Sequence, residues 1–154
     1  MNFHIKNKRI YGWTKVQESG KIILPITAVN EYNLIPQHSV IINYAINSSE
    51  GIGITSRSLL ENSSLSFIIT DYPELINKTK TEKKPVMINQ KYYCRLTLRK
   101  DLSINLPPVL LTRYRLNAGD FLLVTADSGF AVGLIVQGSI INEVKKYPDL
   151  PVFS

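Results

Sequence analysis

The sequence predicts a mainly β protein with short helices, assembled from two copies of a strand–strand–helix–strand–strand unit. Three observations carry that expectation. Short apolar or β-branched runs recur between Gly, Asn, Ser and Pro signals, the pattern of strands separated by turns. A shift of 82 positions aligns the unit at residues 14–55 with the one at 94–136, without a gap over about forty positions from Val16 and Leu98 onward. No apolar run approaches the ~20 residues that a membrane-spanning helix needs.

The repeat is marked at its punctuation points. Ile22 falls on Ile104, Leu24 and Pro25 on Leu106 and Pro107, Tyr32 on Tyr114, Leu34 on Leu116, and Gly51 on Gly133. Apolar character matches between these identities, as with Val16 and Leu98, Val40 and Leu122, and Ile52 and Leu134. The identities fall in one register, which scattered matches would not do.

Each unit reads the same way. Residues 14–17 and 21–24 are expected as strands around the turn signal Glu18-Ser19-Gly20. Pro25 ends the second strand, because it has no N–H for a ladder, and suits a helix start. Ile26, Val29 and Tyr32 then recur every three residues and predict about two helical turns with one apolar side. SVIINYAI and GIGIT follow as two more strands around Asn47-Ser48-Ser49-Glu50. The second unit predicts strands near 94–99 and 103–106, a helix from Pro108 to Tyr114, and strands at FLLVTA and FAVGLIV. Such short strands and one short helix cannot bury a two-sided core alone, so the two copies are expected to interlock.

Around the units lie a basic segment (1–13), a connector (56–93) and a C-terminal helix and tail (137–154). The connector is expected to contribute a short helix or strand packed over the units. Its stretch NKTKTEKKP (77–85) reads as a solvated linker, with a phosphate-contacting arm as the alternative. In the C-terminal segment Ile140, Ile141, Val144 and Tyr147 are expected to face inward.

At 154 residues, with 44% apolar and 19% charged residues, the composition is that of a globular chain. The single cysteine, Cys94, cannot form an intrachain disulfide, and its place in a strand suggests a buried thiol; a reducing, cytoplasmic setting is expected. The start MNFHIKNKRIYGW has no apolar segment, so no signal peptide is expected. Net charge is +6, and the excess falls in residues 1–13, in the connector and in the second unit. That balance is compatible with a polyanionic partner. No nucleophile elbow or phosphate-cradling glycine loop appears, and His4 and His38 stand apart without further ligands. Neither enzymatic activity, a metal site nor a cofactor is expected.

TKVQESGKIILP resembles the first hairpin of the AbrB/MazE/SpoVT family of swapped-hairpin domains through Lys15, Val16, Gly20, Lys21, Ile22, Ile23, Leu24 and Pro25. LNAGDFLLV, residues 116–124, is similar to the family's segment after the helix. The tandem arrangement is similar to that of MraZ-type proteins, which carry two such units. The resemblance covers about 85 of the 154 residues. It implies a swapped-hairpin AbrB-like β-barrel, a transcriptional regulator that meets double-stranded DNA, and a homodimer or larger assembly. Lys15 matches the family's strand lysine and Lys21 the arginine after its turn glycine. Val29 and Asn30 stand where the family often has arginines, and Leu102-Ser103 replaces Gly-Arg in the second unit.

The expected DNA-contacting residues are therefore Lys15 and Lys21 with Arg95, Arg99, Lys100 and Arg113. Strand alternation places Arg95, Thr97 and Arg99 on one exterior face and Leu96 and Leu98 on the other. Tyr92 and Tyr93 beside Arg95 offer either base stacking or ordinary strand packing. The alternative is a protein-interaction or antitoxin-like module on the same scaffold, with these cations only solvated.

Overall fold

The structure, a computed structural model, describes residues 3–5, 7–45, 50–76 and 84–154. In chain order these form β1 (Phe3–Ile5), β2 (Lys8–Lys15), β3 (Lys21–Ile23), α1 (Ile26–Glu31), β4 (Ser39–Ala45) and β5 (Gly51–Thr55). The connector supplies α2 (Arg57–Glu61), α3 (Phe67–Asp71) and β6 (Val86–Ile88). Then come β7 (Lys91–Thr97), β8 (Ser103–Asn105), α4 (Pro108–Arg113), β9 (Phe121–Ser128), β10 (Ala131–Ile135), α5 (Ser139–Val144) and β11 (Val152–Phe153). The expected element order thus occurs twice, as β2-β3-α1-β4-β5 and β7-β8-α4-β9-β10. Most of the expected linker, residues 77–83, and most of the turn before β5, residues 46–49, lie outside the described residues.

Local chemistry explains the repeated outline. Pro25 and Pro107 hold extended backbone, at φ −59° and −60°, and the helix begins at the next residue. Both helices stop where the chain enters the left-handed region, at Asn33 (φ 51°) and its repeat equivalent Arg115 (φ 53°). One detail differs from the expected apolar side. Ile26, in the first turn of α1, is half exposed, and the buried face is formed by Ala28, Val29 and Tyr32.

Among the described residues nine strands form one sheet in the order β1-β2-β9-β10-β5-β4-β7-β6, with β11 added alongside β2. Among the described residues the path is open, with β1 and β6 at its ends, so the expected barrel does not close. β3 and β8 stand outside this sheet and pair with each other. Pairing within each chain half is limited: β2 pairs with β9, β4 with β7, β5 with β10 and β3 with β8, each joining the two units.

The register carries a two-fold relation. The 82-position shift converts the pair Trp13 and Leu123 into the pair Arg95 and Ile41. Ile22 sits opposite Ile104, and Ile52 opposite Leu134, so each faces its own repeat equivalent. The main core lies between the inner sheet face, the β3–β8 ribbon and the two unit helices, with Ile22, Leu24, Ile42, Leu98, Ile104, Leu106 and Leu110 fully buried. Burying each such side chain contributes about 1.5–3 kcal/mol.

The outer face is covered as well. Leu60, Ile68 and Leu75 of the connector pack on Ile41, Ile88 and Tyr93 of the β4–β7 side. Ile141 and Val144 of α5 pack on Ile10 and Leu123 of the β2–β9 side. Tyr147 was expected inward, and it remains 47% exposed with its ring edge-on to Phe3. The described residues of the N-terminal basic segment are strand: β1 and most of β2 belong to the main sheet. Two of their bases are engaged, Arg9 with Glu31 and Lys8 with Asp127 at 3.6 Å. Glu31 also accepts from the Tyr11 hydroxyl at 2.5 Å, and burial together with that carboxylate pushes the Tyr11 hydroxyl above its usual range.

Ile22→Ala and Ile104→Ala should each lower stability by about 2–5 kcal/mol, because both side chains are fully buried where the units meet. The double variant should depart from additivity by more than about 0.5 kcal/mol, since the residues are direct cross-strand partners. Urea unfolding of the four proteins measures both quantities.

Candidate nucleic-acid interface

The β3–β8 ribbon brings the two hairpin tips together. Leu24 N–H donates to Leu102 O and Leu106 N–H to Gly20 O, both at 2.9 Å, and these two bonds are repeat equivalents. Each tip turns through a left-handed residue at the same position, Gly20 at φ 75° and Leu102 at φ 68°. A Cβ on Gly20 would lie 2.8 Å from Leu106 O and 2.9 Å from a Leu111 methyl, so the first tip needs its glycine. Leu102 retains the turn in the second unit at the conformational cost of a side chain in that region.

Four of the six expected contact residues stand at these tips. Lys15 ends β2 and is exposed; Arg99 and Lys100 are exposed in the second tip. Lys21 begins β3 directly opposite Asn105. Its Nζ lies 3.3 Å from Asp101 Oδ2, an ion pair between the two units that offsets part of its charge. Arg99 donates through Nε to Ser103 Oγ at 2.9 Å and through Nη2 to Asn105 Oδ1. Asn105 Nδ2 in turn donates to Ser19 O at 3.4 Å. A small polar lattice therefore holds two cationic side chains, Lys21 and Arg99, on either side of Asn105. No acid pairs with Lys15, Arg99 or Lys100 among the described residues.

The remaining two expected contacts are placed elsewhere. Arg95, expected on the exterior, is only 2% exposed on β7. The connector covers that side of the sheet, and Arg95 Nη1 donates to Ser39 Oγ at 3.3 Å. Arg113 Nη2 donates to Ala45 O at 2.5 Å, and its guanidinium lies over the rings of Tyr44 and Tyr114 at 5.6 and 5.7 Å. It fastens α4 to β4. Tyr93 is buried, and Tyr92 stacks on Tyr44 at 5.3 Å, so the tyrosine pair packs within the fold.

Asp101, Ser103 and Asn105 are the tip residues that sequence reasoning missed. For Ser103 and Asn105 the signal was the alternation of polar side chains along SIN, which looked like a degraded motif. Asp101 Oδ1 accepts from the Ser103 hydroxyl at 2.5 Å and from its N–H at 3.1 Å. The Ser103 hydroxyl above all, then its N–H and Lys21, hold the Asp101 carboxyl below its usual range. No protein-family model and no curated protein matches this chain.

Asp101 should titrate below an ordinary aspartate in a carbon-detected NMR titration of side-chain carboxyls. Ser103→Ala should move that midpoint upward, and Lys21→Ala should move it upward by less. Because the folded-state value is depressed, the group's contribution to stability is present above the unfolded-state value and is lost as pH falls through the folded one.

Proposed function

We propose that this chain is a non-enzymatic DNA-binding regulator in which two AbrB-like units interleave as swapped hairpins and meet duplex phosphates through the joined hairpin tips. The reading rests on one observation above the others. The β3–β8 pairing brings Lys21, Arg99 and Lys100 to adjoining tips, and Lys15 ends the strand that leads into the first of them, beside the acids Glu18, Asp101 and Asp120. A two-stranded ribbon bearing such residues has the dimensions to approach a groove, and its lysines and arginine neutralise phosphates on the way. Arg99, already oriented by Ser103 and Asn105, is the side chain best prepared for a bidentate contact. A homodimer would present two such tips to two half-sites, and light scattering on the free protein reads that assembly.

The Lys21–Asp101 pair favours a second reading. It lowers the net charge of the tips, as suits a protein-interaction surface that never meets a polyanion. Salt dependence separates the two, because phosphate neutralisation gives an affinity that falls linearly with the logarithm of salt concentration.

Replacing Lys15, Arg99 and Lys100 with alanine together should weaken binding to mixed duplex fragments and reduce the salt slope by about two to three. Asp101→Asn should act in the opposite direction, by removing the acid that neutralises Lys21. Fluorescence anisotropy at several salt concentrations measures both. An unchanged slope in the triple variant would move the function to the protein-interaction reading.

A further inference from the structure

The outer crease between β2, β9 and the C-terminal tail forms an open pocket of about 460 Å³. Trp13 and Phe121 line it, with ring centroids 6.4 Å apart and planes at 77°. Ile141, Leu150 and Val152 add apolar walls, and Lys145 stands at the edge. Phe121 and Val152 are about half exposed although both are large and apolar. Lys145 has no acidic partner among the described residues, whereas its neighbour Lys146 pairs with Glu143 at 3.5 Å. Apolar and aromatic walls around one convergent charge are the makeup of a small-molecule site, and the volume lies within the usual range of about 300–1,000 Å³.

The tail that borders the pocket is built into the fold. Val152 and Phe153 pair in parallel with Trp13 and Thr14, and Trp13 N–H donates to Pro151 O at 2.9 Å. Gly12 admits this approach: it sits at φ 143°, and a Cβ there would lie 2.5 Å from Pro151 O. A second concavity, of about 310 Å³, lies beside Ser39 and Ile41. Ser39, the repeat equivalent of Phe121, lines it and accepts a hydrogen bond from buried Arg95, the equivalent of Trp13. The chemistry at these positions thus differs between the two sides, and the aromatic pair belongs to the crease at Trp13 and Phe121.

We infer that the crease between Trp13, Phe121 and the C-terminal tail binds a small amphipathic organic anion. Its apolar body lies against the Trp13 and Phe121 rings and its acid group meets Lys145. A neutral hydrophobe would leave the ammonium unanswered, and a compact inorganic anion would leave the aromatic walls wet. Phe121 is the cross-strand partner of Lys15, so an occupant would sit against the strand pair that leads into the cationic tip.

Trp13 is the only tryptophan, which makes the site directly observable. The full chain, without DNA, is titrated with 1-anilinonaphthalene-8-sulfonate while Trp13 is excited. The expected result is one saturable site with energy transfer from Trp13, displaced by decanoate. Lys145→Met should weaken the sulfonate and decanoate about tenfold, the scale of one charge-assisted contact, and leave competition by decanol within about twofold. Val152→Glu, an exposed change that sets an acid on the opposite wall, should weaken both anions too. Probe emission that rises without saturation would overturn the proposal. So would equal anion affinity in the wild type and Lys145→Met, or probe binding confined to a dimer by light scattering, which would make the crease a contact between copies.

Discussion

Strand pairing between the two units is the constraint on which everything else depends. The strands run from two to eight residues, too short for either unit to close a core by itself. Each of the four strands in one unit is hydrogen-bonded to a strand of the other, and the fully buried side chains collect where those ladders meet. The unit helices add a cover that works only once the ribbon beneath them exists. Tyr32 and Tyr114 show how closely the units depend on each other. Each ends the helix of its own unit and donates its hydroxyl to a carbonyl of the other, at Ser128 and Gly51.

The same pairing creates the cationic tips. Lys21 and Asp101 are 80 residues apart in sequence, and their ion pair exists because Ile22 faces Ile104. An exposed pair of this kind contributes little to stability, so its consequence is electrostatic. It ties one lysine to the neighbouring tip and leaves Lys15, Arg99 and Lys100 as the open positive charge. The polar lattice through Ser103 and Asn105 limits how far Arg99 can swing, which reduces the entropy lost when it meets a ligand.

Comparison of the two units separates what the frame demands from what it tolerates. Left-handed backbone recurs at Gly20 and Leu102, at Asn33 and Arg115, and at Gln37 and Gly119. The bond from Gln37 N–H to Leu98 O recurs as that from Gly119 N–H to Val16 O. Side chains are freer. Glu31 binds Arg9 and Tyr11 at the end of one helix, whereas Arg113 at the equivalent place binds a carbonyl of β4. Trp13 lines an apolar crease, and its equivalent Arg95 lies buried beside Ser39. Backbone geometry is held by ladders that every position shares, and each side chain answers only to its neighbours.

The sequence by itself determined the order and kind of elements, the repeat and its shift, the turn glycine at 20 and the helix starts after Pro25 and Pro107. These are local properties: proline lacks an N–H, glycine lacks a Cβ, and apolar spacing reports the period of the backbone. It also singled out Lys15 and Lys21, through the resemblance of their hairpin to a known family's, and Arg99 and Lys100, as the charge kept on the equivalent hairpin of the second unit. Tertiary structure alone decided which strands pair, that the sheet stays open, and which faces are covered. Arg95 shows the reason. Alternation identifies residues that share a face, but Tyr93, Cys94, Arg95 and Leu96 are all buried, because the core covers one face of β7 and the connector covers the other. Nothing within the strand encodes that second cover. It arises from α2 and α3 packing against Ile41 and Tyr93, and it decides whether an arginine on that strand meets solvent or the protein interior.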